Sequence, residues 1–142
     1  MKKMQKYSLT FFIALVTLVI GILIGYSIHD QKNNALIMDI RDRAQNALRT
    51  DPKDIQNLIL LGNMSSQLGE NKKAEQAFKD VLAIEPNNIT AHKFLAIHYY
   101  TIGNNTQSFL SIKKALKLAK ATNSPDLVEI KQLYTVIKNK EK

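Results

Sequence analysis

The chain has 142 residues, 45% apolar content, no cysteine and a formal charge of +8 at neutral pH. That length allows one modest domain, and the missing thiols exclude a disulfide framework, a thiolate metal site, thiol catalysis and an acylated lipoprotein cysteine.

A basic tail, MKKMQKYS (residues 1–8), leads into LTFFIALVTLVIGILIGYSI (9–28), twenty residues without a charge. At 1.5 Å per helical residue this run is about 30 Å long, the hydrocarbon thickness of a bilayer. A secretory signal peptide shares the basic start, but its apolar core is usually ~7–15 residues long and ends at a small-x-small site. The exit GYSIHDQKNN offers no such site, so 9–28 reads as an uncleaved transmembrane anchor. A buried core helix is disfavoured because the rest of the chain is too short to cover it on all sides. Lys2, Lys3 and Lys6 precede the span and only Lys32 follows within seven residues, which favours a cytoplasmic N-terminus in the inner membrane and an extracytoplasmic bulk. Extending the window to residue 43 adds Arg41 and Arg43 and equalises the two sides. Gly21 and Gly25 form a GxxxG pattern that lets two spans approach as a homodimer, although glycine is frequent in membrane helices without that role.

From residue 29 onward the pattern is helical, with glycine or proline where helices should stop. The polar stretch 29–34 is the expected linker and helix break, although no glycine or proline between Tyr26 and Thr50 prevents the first helix from continuing the membrane span. Six helices are predicted, at 33–49, 55–68, 72–84, 89–102, 105–121 and 126–139. The first carries the stripe Leu36, Ile37, Ile40, Ala44, Ala47, Leu48. The last has Ser124 as N-cap, Pro125 as first helical residue and the stripe Leu127, Ile130, Tyr134, Ile137.

Residues 55–88 align without a gap on 89–122, a period of 34 residues. Ile55 meets Ile89, Leu61 meets Leu95, Gly69 meets Gly103, Asn71 meets Asn105, Lys79 meets Lys113 and Leu82 meets Leu116. Gly69 and Gly103 sit where a left-handed residue ends a helix cheaply. Small residues Gly62, Ala96, Ala74 and Ser108 allow two antiparallel helices to approach, and Leu61, Phe78, Leu95 and Ile112 fill the seam. Pro86 stops the second helix. Each unit is a helical hairpin with an apolar face that it cannot bury alone, so neighbours must stack.

This pattern resembles the tetratricopeptide repeat family. In 55–88 the signature places hold Leu58, Leu61, Gly62, Gly69, Ala74, Phe78 and Pro86, with EPNN as the exit; Ser65 departs from the usual tyrosine. In 89–122 they hold Leu95, Ala96, Tyr99, Gly103 and Ala115, while Lys120 replaces proline and implies that the last helix runs on to about Ala121. Residues 35–54, with Pro52 lying 34 before Pro86, resemble the second half of a truncated repeat. Residues 125–140 resemble a capping helix. The resemblance implies an all-α solenoid over 35–140 and a concave face lined by the first helix of each hairpin. Carried onto this chain, the partner-binding groove comprises Ile59, Asn63, Ser66, Gln67, Lys93, Ile97, Tyr100 and Thr101, a mixture that suits a neutral extended peptide. Asn63 fits the family's carboxylate clamp, but Ile59 stands where the clamp needs lysine, which argues against a chaperone-tail site. The layout is also similar to membrane-anchored tetratricopeptide subunits of cytochrome c biogenesis, although no residue identifies a haem or an apocytochrome.

No catalytic constellation is legible, and neither an enzymatic activity nor a cofactor is expected. His92 and His98 are six residues apart, about 120° around a helix, and are unsuited to joint chelation. His92 takes a place in the hairpin seam, where packing is its expected role. No phosphate-binding glycine loop or nucleic-acid motif occurs, so nucleic acid is not an expected partner. Residues 29–102 hold nine basic and nine acidic side chains, whereas 103–142 hold eight and three. The soluble excess of +5 thus lies at the C-terminal end, with Lys113, Lys117 and Lys120 along one helix side. Two functions follow: a membrane-anchored adaptor or assembly factor that binds a protein or peptide in its groove, or a basic binder of anionic lipid or an acidic polymer through the C-terminal helices.

Overall fold

The computed structural model describes residues 2–140, with side chains described from residue 15 onward except at 26, 28 and 29. Six helices follow one another and no strand occurs among the described residues, which makes the chain all-α: α1 (Lys2–Ala47), α2 (Ile55–Gln67), α3 (Asn71–Ile84), α4 (Ile89–Thr101), α5 (Asn105–Thr122) and α6 (Leu127–Lys140). The chain divides into two units, Met1–Leu36 and Ile37–Lys142.

The first unit is helical. Leu15, Val16, Leu18, Val19, Ile20, Ile22, Leu23 and Ile24 are all exposed, so the segment is apolar on every side. A Cβ added at Gly21 or Gly25 would meet nothing within 4 Å. The expected span falls partly on residues 9–14, 26 and 28, whose side chains lie outside the described ones; among the described residues no helix is long and apolar enough to cross a membrane. The break expected at 29–34 is absent, because α1 continues through it. No glycine or proline lies between Tyr26 and Thr50, and the polar residues there cost only tenths of a kcal/mol each in a helix. Leu36, assigned to the apolar stripe of this helix, is instead 59% exposed.

In the second unit α2 packs on α3, α4 on α5 and α5 on α6, while α4 also meets α3 and α2. The local reasons repeat with the sequence. Asp54 and Asn88, one period apart, are the N-caps of α2 and α4, accepting from the backbone N–H of Asn57 at 3.0 Å and of Ala91 at 2.9 Å. The carboxyl of Asp54 is held below its usual range by the Asn57 backbone N–H and then by the Asn57 amide. Gly69 and Gly103 take φ of +73° and +79°. The next residues then return their N–H groups to the helix just ended, Glu70 to Ser65 and Asn104 to Tyr99, both at 2.8 Å. α3 ends at Ile84, before Pro86. With lysine in place of proline at 120, α5 runs to Thr122 and stops on Asn123 in the left-handed region (φ 49°). Ser124 then accepts the N–H of Asp126 at 3.2 Å, and α6 opens at Leu127 rather than at Pro125.

Three apolar clusters run along the stack. Leu58, Val81 and Ala91 gather Leu48, Ile55, Ile59 and Leu82 at one end. Ala74, Phe78, Leu95 and Tyr99 form the middle with Leu82 and Phe94. Ala96, Ile112, Ala115, Ala119, Ile130 and Ile137 close the other end, so α6 covers the apolar flank of the second hairpin. At the seams, a Cβ on Gly62 would lie 2.6 Å from Phe78 Cε1. One period later Ala96 faces Ser108, whose hydroxyl donates to the Ala96 carbonyl at 2.7 Å. Leu61, assigned to fill the first seam, is only half-buried. At the start of the unit Ala44 is buried, and the Arg41 guanidinium pairs with Glu70 in the α2–α3 turn.

Candidate protein-docking face

Because α2 and α4 are the first helices of their hairpins, their outward sides share one face. On it lies a cleft of about 420 Å³ bounded by Asp54, Gln56, Asn57, Ile59, Leu60, Asn63 and Phe94. Gln56, Asn63 and the pair Ile59 and Leu60 follow helical spacing along α2, so amides and apolar groups alternate along one stripe. Phe94 closes the far wall. Its ring stacks on Phe78 with centroids 5.9 Å apart, and Lys93 Nζ lies 5.6 Å above it. Asp54 is occupied as a cap, since it also accepts from Asn57 Nδ2 at 2.8 Å. Asn63 accepts only a long 3.4 Å bond from Gln67. The cleft thus offers an apolar floor with amide hydrogen-bonding groups at its edge and one carboxylate already engaged.

Of the eight residues assigned to the groove, Ile59 and Asn63 line this cleft, with Ile59 also half-packed against the Leu58 cluster. Ser66 belongs elsewhere: its hydroxyl lies 2.9 Å from His98 Nδ1 and joins α2 to α4. Gln67 is exposed at the end of α2. On α4 the groove residues diverge. Lys93 forms an ion pair with Glu129 of α6 at 2.9 Å, and its side chain is only 11% exposed. Tyr100 packs against the α4–α6 core, with Lys140 Nζ 4.8 Å over its ring. Thr101 donates to the Ile97 carbonyl, and Ile97 is half-buried. The open part of the face is therefore the α2 half together with Phe94, while in the α4 half Lys93 and Tyr100 are engaged by side chains of α6. The repeat pattern did not mark Gln56, Asn57, Leu60 or Phe94, although the helical stripe 56, 59, 60, 63 was there to be read.

Behind the face lies a small polar network. Tyr99 donates to Glu75 at 2.8 Å, and Lys79 pairs with the same carboxylate at 2.6 Å. Lys79 and then Tyr99 hold the Glu75 carboxyl below its usual range. Burial, followed by the bond to Glu75, pushes the Tyr99 phenol up to about 12. His98 is 1% exposed, and burial pushes its pKa down against the opposing charge of Glu75. His92, assigned to the seam, is instead only half-buried, with Nε2 donating to the Pro86 carbonyl at 3.1 Å. It sits in the first turn of α4, within reach of the preceding loop, whereas His98, six residues on, faces α2. Among the described residues no group of three or more acidic or imidazole side chains is placed to hold a metal ion.

No protein-family model matches the chain, and no curated protein does either. Solved structures do match. The TPR2B domain of yeast Sti1, in a pHsp70 complex, superposes with a TM-score of 0.68 at 15% identity over 76% of this chain and 87% of that one. PcrH in complex with the chaperone binding region of PopD gives 0.69 at 16% identity, over 80% and 86%. The Yersinia enterocolitica type III secretion translocator chaperone SycD gives 0.68 at 16% identity, over 80% and 87%. With the 34-residue period and its recurring caps, these similarities show that the helical hairpins of this chain form a tetratricopeptide-repeat-like fold.

Proposed function

We propose that this chain is a membrane-anchored adaptor or assembly factor whose α2–α4 face docks an extended segment of a protein partner. The observation that carries the reading is the amide-edged, apolar-floored cleft between α2 and Phe94. Amides at the rim satisfy the backbone of a docked strand, and Ile59, Leu60 and Phe94 receive one or two apolar side chains. Two of the similar structures, those of Sti1 and PcrH, are complexes with a protein or a segment of one, which supports docking as the use of this fold. Ile59 in place of lysine keeps this site apart from carboxylate capture.

The anchor is residues 9–28, and its support is the uninterrupted apolar sequence together with exposed apolar side chains on every side from Leu15 to Ile24. Confinement to a surface raises the effective concentration of the domain toward a partner held there. The lysines of the tail put the N-terminus in the cytoplasm and the repeat domain outside the inner membrane, where an envelope assembly role, including cytochrome c maturation, fits the layout. A reporter fused after Lys142 would be active only outside the cytoplasm; cytoplasmic activity would refute the placement.

The docking test is co-purification of the full chain from membranes in non-ionic detergent, comparing the wild type with Asn63→Arg and Leu60→Asp. Both substitutions change the cleft at partly exposed positions and should remove the bound protein while leaving the thermal melt in place. Capture unchanged by either would remove the cleft from the reading.

A further inference from the structure

A second concavity lies on another flank of the repeat domain, between α5 and α6. It measures about 490 Å³, and Leu110, Leu116 and Tyr134 line it together with Lys113, Lys114, Lys117 and Lys120. Leu110 is 53% exposed. α5 carries four lysines and no acidic residue. None of the four forms an ion pair among the described residues, and the only acidic residue of α6, Glu129, is paired with Lys93. A fifth cation, Lys138, lies 5.9 Å over the Tyr134 ring.

An ordinary solvated helix face spreads its lysines and leaves no concave apolar floor beneath them. Here the aliphatic stems extend that floor and the ammonium groups crown its edge. From Leu110 to Lys120 the site runs about 15 Å along α5, close to three helical turns. A flat bilayer surface would bridge such a concavity and leave its floor unfilled. A helix with an apolar stripe and acidic flanks fills the floor and neutralises the rim together.

We infer that the α5–α6 cleft docks an acidic amphipathic helix of a protein partner, its apolar stripe seated on Leu110, Leu116 and Tyr134 and its carboxylates held by Lys113, Lys114, Lys117 and Lys120. The site is separate from the α2–α4 face, so the failure of either leaves the other standing.

The test is fluorescence anisotropy of the full chain, held in detergent-free phosphatidylcholine nanodiscs, with a labelled synthetic helix of about four turns, leucines on one stripe and glutamates beside it. A scrambled peptide of the same composition, and vesicles containing phosphatidylglycerol, serve as competing probes. The expected result is patterned-peptide binding that weakens at least about tenfold in Lys113→Glu/Lys117→Glu and, separately, in Leu110→Asp, with the scrambled peptide binding more weakly. A remote pair with the same net charge change, Lys53→Glu/Lys72→Glu, leaves binding within about twofold, as long-range fields are screened at physiological salt. Equal binding of the two peptides, indifference to Leu110→Asp, or an equal loss in the remote pair would reduce the site to general charge attraction and overturn the proposal. Absence of peptide binding also overturns it, and vesicle capture that depends on the same lysines would then assign the flank to a membrane surface.

Discussion

Gly62→Ala is the sharpest perturbation of the first hairpin. The added methyl lies 2.6 Å from Phe78 Cε1 and 2.8 Å from Cδ1 and Cζ. Phe78 is 1% exposed, and its ring is stacked on Phe94, so it has little room to retreat. Ordinary carbon contacts need about 3.5–4 Å, which requires the ring or the α2–α3 spacing to give by about 1 Å. Overpacking of this kind costs about 1–3 kcal/mol, and the better helix propensity of alanine returns about 1 kcal/mol. The net expectation is a loss of about 1 kcal/mol, or roughly 4–8 °C in Tm for a domain of this size. The second repeat supplies the control, since one period later the equivalent positions are Ala96 and Ile112, both fully buried. In a Phe78→Ile background the clash is gone, and Gly62→Ala should then stabilise by about 1 kcal/mol. Urea unfolding followed by circular dichroism on the four members of the cycle measures the coupling, expected at about 1–3 kcal/mol. An effect of Gly62→Ala that is the same in both backgrounds would refute the seam geometry.

Stability should fall with pH in a window set by two imidazoles, His98 buried and His92 half-buried. His98 and His92 are both pushed below the ordinary value of 6.5, chiefly by burial. They bind fewer protons folded than unfolded, so their stabilising contribution is complete above 6.5 and is lost as pH falls below it. The slope reaches at most about 1.4 kcal/mol per pH unit per histidine, and a urea midpoint that stays flat or rises between pH 7 and 5 would contradict this. Tyr99→Phe removes the bond to Glu75; it should cost about 1–2 kcal/mol, and ultraviolet titration should lose the phenol that ionises only at about 12. A wild-type titration lacking so late a phenol would show that Tyr99 is not buried beside Glu75. Asn88→Ala deletes the α4 cap and should cost about 1 kcal/mol, seen as faster amide exchange in the first turn of α4; unchanged exchange there would mean that the cap contributes nothing.

The helices of the repeat domain were legible because their ends are chemical. Glycines at 69 and 103 adopt positive φ, and Pro86 cannot continue a helix, so α2 to α5 fall within a residue or two of the pattern. The stretch 29–34 misled because polarity is a poor helix breaker without glycine or proline. The lining of the cleft beside α2 was legible only in part. A repeat pattern says which helix faces the concave side, but not what lies across from it. The pairing of Lys93 with Glu129, and the contact of the Tyr100 ring with Lys140, depend on a helix some 30–40 residues away with its own register. Phe94 was missed for a related reason: it reaches the cleft by stacking on Phe78 across the hairpins, a contact that no local period encodes.

Site-specific photocrosslinking in native membranes tests the docking claim most directly, with a photoreactive residue placed at Asn63 in the cleft and, for comparison, at exposed Lys72 on α3. The expected result is a discrete protein adduct from position 63 that is absent from position 72 and disappears with Leu60→Asp. The same adducts from both positions, or none from position 63, would contradict it.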